Sequence, residues 1–269
     1  MGLHVEERIV AGDDGDDLVV HHLVLRGYAG AIGRHIGELV RARYGARAVG
    51  PDAIPLAERL RCSATFTPPR RAACGHPLVD SAFDLAGALG RPRPGEPPSA
   101  ARPYVMELHP DEGYPSVAVC AFALQGAALD GVNAEGLVAV AAPDLATSCH
   151  VAALQLVRRL LDRCATAAEA RSALAEGAAD AVAGPARWLV ADRHGDAFVV
   201  VVAAGRREVH RVDAAGAALA VASEAPVAPL RRLWHGEYDA VERRLSARFF
   251  VGAGGVRPSP APELRFQLS

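Results

Sequence analysis

Lysine is absent from the sequence: all 29 basic residues are arginine. Schiff-base catalysis, internal-aldimine pyridoxal chemistry and the lysine of a Walker A loop are thereby excluded. Cysteine is scarce, and five residues without a CxxC pair fit neither a disulfide framework nor a structural zinc site, so a reducing, cytoplasmic setting is the expectation. There is no GxSxG elbow, no HExxH and no GxGxxG, which leaves the common serine hydrolase, zincin and dinucleotide readings without support. No motif implies a cofactor or a bound metal. No run approaches the roughly 18 unbroken apolar residues of a membrane span, and residues 1–17 are acidic rather than signal-like. A net charge of -2 and a pI of about 6.6 offer no attraction to nucleic acid or to an anionic membrane, so neither is expected as a partner.

What is present is core. With 51% hydrophobic and 22% charged residues, 269 residues can bury a large interior. "VEERIV" and "LVVHHLVLRG" read as strands, and "AGAIGRHIGELVRARYG" as an amphipathic helix with Ile32, Ile36, Leu39 and Val40 on one face. The glycines of "GYAGAIGRHIG", Gly27, Gly30, Gly33 and Gly37, suggest close packing of the helix start against another backbone. A further helix is expected over 51–60. "CSATFT" and "HPLVDSAFDL" then read as two strands around the turn "PPRRAACG", and the proline-rich stretch 87–103 as a surface loop.

Four short strands follow, "YVMELHP", "YPSVAVCAFAL", "GAALDGVN" and "GLVAVAA". Next come two helices, the second opening on a capping box of Thr166 and Glu169. A meander runs from Ala186 to Ser223, "PLRRLWHGEYDAVERRLSARFF" reads as helical, and "PAPELRFQL" as a last strand. Strands on both sides of a central helical pair point to an α+β fold of two antiparallel sheets with helices outside them.

Few residues carry local chemical signals. Cys62 lies at a helix-to-strand junction before Ser63, and two readings stand: an activated nucleophile, or the small buried hydrophobe that free cysteine usually is. Cys74, Cys120 and Cys164 read as structural, Cys120 in an apolar strand and Cys164 on a helix face. Cys149 precedes His150, but neighbours in a regular element do not face each other. Asp84 interrupts an apolar run, so it either ends a strand in solvent or has a specific partner.

In order along the chain, these segments resemble the isopenicillin N acyltransferase and peptidase C45-like family, cysteine N-terminal nucleophile hydrolases related to the choloylglycine hydrolases. The resemblance covers nearly the whole length. "LRGYAGAIGRHIGEL" is similar to the family's opening, "CSATF" to its nucleophile segment and "GHPLVDSAFDL" to its strand ending in aspartate. "LDGVNAEGLVAVAA", "LVRRLLDRCATAAEARSAL" and "WLVADRHGDAFVV" resemble its later strand turn, central helices and hairpin.

The resemblance implies an αββα sandwich in one domain, 1–269, with 1–61 as a propeptide-like N-terminal segment and 62–269 as the nucleophile-bearing core. It implies self-cleavage before Cys62, whose freed α-amine, titrating near 7.7–8.0, takes the proton of its own thiol. The expected activity is cleavage or transfer of an acyl group from a small N-acyl amine or thioester. Cys62 matches the nucleophile and Asp84 the carboxylate that holds the new ammonium or the substrate amine.

Asn133 matches a turn asparagine, a residue that tolerates left-handed backbone. It is the chain's one asparagine. Ala142 and Glu224 occupy the approximate positions of two family asparagines near the oxyanion and substrate, and Ser81 and Ala82 replace a larger polar pair. Ser81 and Glu224 are therefore the substrate-binding candidates. Arg61 stands where a glycine would ease a strained cleavage turn. Loss of one oxyanion donor costs about 2.7–4 kcal/mol of transition-state stabilisation. Two other readings accordingly stay open: an inactive scaffold or binding protein of the same fold, and an uncleaved Cys62 thiol with His150 or another histidine as base.

Overall fold

The structure, a computed structural model, describes residues 2–11, 19–44, 61–67, 78–84, 104–120, 128–143, 151–178, 186–203, 206–212, 219–222, 234–251, 259–260 and 263–268. The expected helix over 51–60, the 87–103 loop, the "PPRRAACG" turn, Cys74, Cys149, His150 and Glu224 lie outside them.

Strands β1 (His4–Ala11) and β2 (Val20–Gly27) lead into α1 (Ala29–Tyr44). Then come β3 (Arg61–Thr67), β4 (Leu78–Asp84), β5 (Tyr104–Pro110), β6 (Ser116–Cys120), β7 (Ala128–Asn133) and β8 (Val138–Pro143). Helices α2 (Val151–Arg163) and α3 (Ala167–Ala173) separate these from β9 (Ala186–Ala191), β10 (Ala197–Ala203), β11 (Arg206–Arg211) and β12 (Leu219–Ala222). The chain closes with β13 (Trp234–Asp239), β14 (Arg244–Val251), β15 (Ser259–Pro260) and β16 (Leu264–Gln267).

Two sheets form, as the α+β reading requires, but they divide the strands differently from the simple expectation. The larger runs β1-β2-β5-β6-β7-β8-β9-β10-β11 and the smaller β12-β3-β4-β13-β14, to which β15 and β16 add. Strands on either side of α2 and α3 thus share one sheet, with β8 pairing β9 directly. Nor is the larger sheet wholly antiparallel: β2 and β5 run parallel, His21 opposite Tyr104. The chain leaves β2 into α1, builds β3 and β4 in the other sheet, and re-enters at the end where β2 began. A return of that kind can only be parallel.

The layers are fixed by alternation at β7. Asp130 accepts a hydrogen bond from the Tyr238 hydroxyl of β13, a buried tie between the sheets. Gly131, next in line, faces the other way, where a Cβ would lie 2.7 Å from Leu161 of α2 and 2.8 Å from Ala118. The larger sheet is therefore covered by the smaller sheet on one face and by α2 on the other. The capping box forms as read: Thr166 Oγ1 accepts from the Glu169 amide at 3.2 Å, and Glu169 Oε2 accepts from the Ala165 amide at 2.6 Å.

Two expectations fail. Within the stretch read as helical, residues 234–251 form a hairpin, Trp234 opposite Phe249. Asp239 Oδ1 accepts from the Val241 and Glu242 amides at 3.1 and 3.0 Å and bends the chain, which reverses through Arg243 at φ +51°. Gly236, Tyr238, Leu245 and Ala247 alternate inward, and pairing with β4 and β16 overrides the helical propensity of the arginine- and glutamate-rich turn. The packing expected of the glycines fails at Gly33 and Gly37, where a Cβ would meet nothing within 4 Å, but not at the helix start: a Cβ would lie 3.4 Å from the Leu3 Cα at Gly27 and 2.7 Å from the Tyr28 ring at Gly30.

Candidate functional site

The two residues that carry the nucleophile reading fall on neighbouring strands. β3 and β4 pair antiparallel from the first residue, with Arg61 opposite Asp84, Cys62 opposite Phe83, Ser63 opposite Ala82 and Ala64 opposite Ser81. Cys62 and Asp84 are thus one register step apart. Directly opposed positions of such a ladder share a face and successive ones alternate, so position 84 is aligned with position 61 rather than with position 62. Position 84 is therefore paired with the residue on the N-terminal side of the Arg61–Cys62 link.

The hairpin is enclosed on both edges. β12 pairs with β3, Ala222 opposite Ser63, and β13 pairs with β4, Trp234 opposite Phe83. Beneath it, β3 packs on β8 of the larger sheet. Ser81 sits one pair further from the Cys62 end of the hairpin than Ala82, opposite Ala64 and Gly236. The other substrate-binding candidate, Glu224, lies outside the described residues.

Asn133 is occupied elsewhere. Its amide donates to the carbonyls of Leu161 and Cys164 at the end of α2, at 2.9 and 2.8 Å, and its Oδ1 accepts from the Leu137 and Glu135 amides at 2.9 and 3.1 Å. The side chain is fully buried and both amide hydrogens are engaged. The expected left-handed backbone is absent, because Arg243 is the only non-glycine with positive φ among the described residues. Gly136 takes that turn instead, at φ +81° and so close to the Ala240 carbonyl that a Cβ would lie 2.2 Å from its oxygen.

The structural reading of two cysteines holds. Cys120 and Cys164 are buried, and burial pushes the Cys120 thiol up to about 12 and the Cys164 thiol up to about 11. Thiols of that kind are poor nucleophiles. Cys164 lies just past the end of α2, its amide bonded to the Leu160 carbonyl at 2.9 Å, rather than on the helix face.

Sequence reasoning missed a second polar cluster, on β1, β2 and β5. Glu107 lies between His109 Nε2, 2.5 Å from its Oε1, and His22 Nε2, 3.3 Å from its Oε2. Arg8 Nε donates to His22 Nδ1 at 3.2 Å, and Arg26 reaches Glu107 at 3.5 Å. Burial alone would raise the Glu107 carboxyl, but the hydrogen bonds from His22 and His109 outweigh it and hold the group at about 2. The signal was "HH" followed by "ELH" in strands with no visible reason to pair, and only the parallel β2–β5 ladder brings them together. This cluster ties three strands and is remote in sequence from the β3–β4 hairpin. Among the described residues, no group of three or more histidine, cysteine, aspartate or glutamate side chains is arranged to hold a metal ion.

No family model and no curated protein matches the chain. Among solved structures, it is similar to penicillin V acylase from Agrobacterium tumefaciens, with 12% identity and a TM-score of 0.46 over 74% of this chain and 84% of that one. Two variants of conjugated bile acid hydrolase from Clostridium perfringens are similar at 9% and 10% identity and a TM-score of 0.25. Each covers 60% of this chain, which spans 45% of theirs. Among the described residues, no helix is long and apolar enough to cross a membrane.

Proposed function

We propose that the chain is a cysteine-dependent amidohydrolase or acyltransferase of the N-terminal nucleophile type, acting in a reducing compartment on a small N-acyl amine or thioester. Cys62 is the nucleophile. Asp84 holds the α-amine released when the Arg61–Cys62 bond is cut, and Ser81 and Glu224 contact the substrate. The observation that carries this reading is the β3–β4 register, which aligns Asp84 with the residue before Cys62. A carboxylate beside a freed ammonium favours its charged form, and the amine then cycles between base and acid near neutral pH. The thiolate attacks the acyl carbon, the leaving amine or thiol takes the proton, and water or an acceptor amine releases the acyl group from the thioester.

On this reading 1–61 is propeptide-like in position only. Its strands β1 and β2 are built into the larger sheet, β2 buried against β5, so a cut at 61–62 leaves two chains in one fold.

Two observations favour the alternative of a binding or scaffold protein. The chain's one asparagine has no amide hydrogen left for an oxyanion, and Arg61 and Cys62 sit in extended, regularly paired backbone rather than a strained turn. Acyl trapping separates the two. A short acyl thioester added to the protein, followed by quenching and peptide mass mapping, is expected to place an acyl group on Cys62 and none on a Cys62→Ala variant. Absence of the adduct, or its presence elsewhere, sinks the enzyme reading.

A further inference from the structure

The larger sheet ends on β1 at one side and β11 at the other, and among the described residues no strand pairs with the outer side of either. Such an edge presents a row of backbone donors and acceptors, which proteins commonly blunt with charged side chains or with a bulge. β1 is exposed from His4 to Ile9, with Val5 at 37% and Ile9 at 42%. Its charges are of both signs, Glu6, Glu7 and Arg8, and its irregularity falls between Ile9 and Ala11, leaving His4 to Ile9 in regular register.

We propose that β1 is the self-pairing edge of a homodimer, two copies joining antiparallel about Glu7 so that the sheet runs on from one molecule into the next. The register follows from the strand itself. A two-fold axis perpendicular to the sheet keeps each side chain on its own face, and only positions of one parity turn both backbone groups outward, so opposed positions must sum to an even number. Centred on Glu7, Val5 of one copy faces Ile9 of the other and Glu6 faces Arg8, each pair occurring twice. Apolar and opposite-charge pairs directly across a ladder both stabilise it. The residue on the axis is Glu7, the one position this register opposes to its own copy; its carboxylate is held 2.8 Å from His21 Nδ1 of its own chain.

Neighbouring registers are worse. Centring on Glu6 likewise opposes a glutamate to itself and puts Val5 against Glu7, while centring on Arg8 opposes two arginines and puts Ile9 against Glu7; both lose the Glu6–Arg8 pairs. The β11 edge is weaker: centring on Val209 sets Glu208 against His210 but Arg207 against Arg211 twice, and centring on Glu208 leaves no opposite-charge carboxylate–arginine pair. Pairing of β1 with β11 of another copy would be head-to-tail, forming an open chain rather than a closed dimer.

Sedimentation velocity over a concentration series, with charge-swapped variants of the full chain, tests this. The wild type is expected to pass from monomer to dimer. Glu6→Arg and Arg8→Glu each set like charges across the ladder and should weaken the dimer about tenfold or more. Mixing the two single variants restores opposite charge at both contacts, so the mixture should dimerise where neither variant does alone; a variant that had merely misfolded would not recover on mixing. The double variant E6R/R8E should dimerise like the wild type. A wild type that stays monomeric throughout, a dimer indifferent to the single swaps, or a mixture that stays monomeric overturns the proposal.

Discussion

The joint around Asn133 and the β3–β4 hairpin are both built on turns and strand ends, yet they use polar residues in opposite ways. At the joint, one side chain closes four hydrogen bonds and fastens the end of α2 to the β7–β8 turn. Asp192 does the same nearby, its Oδ2 accepting from the Ala167 amide at the start of α3 at 2.9 Å and its Oδ1 from the His194 and Asp196 amides at 2.9 and 3.2 Å. At the hairpin, the chemistry we propose rests on where a ladder places two positions, Cys62 and Asp84. Polar groups fully committed to structure have nothing left to give a substrate, and the turn asparagine matched to Asn133 serves backbone groups alone.

That contrast can be broken or sharpened by substitution. Asn133→Ala should have the largest effect, lowering stability by about 3–5 kcal/mol, because two carbonyls and two amides lose their partner where water cannot replace it. The urea midpoint reads it, and turnover per folded molecule should hold. If turnover falls far more than the folded fraction, Asn133 acts on substrate after all. Gly131→Ala should cost about 1–3 kcal/mol by pushing α2 off the sheet, read the same way.

Acid comes next. The Glu107 carboxyl is held down at about 2, below its unfolded value, so its contribution is present above the unfolded pKa and disappears as pH falls through the folded one. Stability should therefore fall between about pH 4.5 and 2. In Glu107→Gln that stretch of the curve should flatten, with the protein about 1.5–3 kcal/mol weaker at neutral pH from the lost charged hydrogen bonds. The smallest stability change is expected at the hairpin. Cys62→Ser should shift the unfolding midpoint by less than about 1 kcal/mol while abolishing acyl transfer. A large loss of stability there would return Cys62 to the core.

Much of the fold was legible because its signals were local. Near-continuous apolar, valine-rich runs marked β2, β6 and β10, the 3.6-residue stripe marked α1 and α2, and Thr166 with Glu169 marked the start of α3. Where neighbours decide, local reading failed: "WHGEYDAVERRLSARFF" has helical composition, but β4 and β16 supply ladder partners that no window of the chain contains. The parallel β2–β5 pair escaped for the same reason, and with it the Glu107 cluster. For the site, the sequence motifs singled out Cys62 and Asp84, and the structure adds their one-step offset. What the motifs could not carry was the fate of Asn133, since its partners lie 28 and 31 residues away on a helix end.

Intact mass of the purified chain under denaturing conditions tests the central claim most directly. Two fragments are expected, the second beginning at Cys62, and a single uncut chain from a Cys62→Ala variant. A wild-type chain that stays whole, with the Arg61–Cys62 bond intact, would contradict the N-terminal nucleophile mechanism.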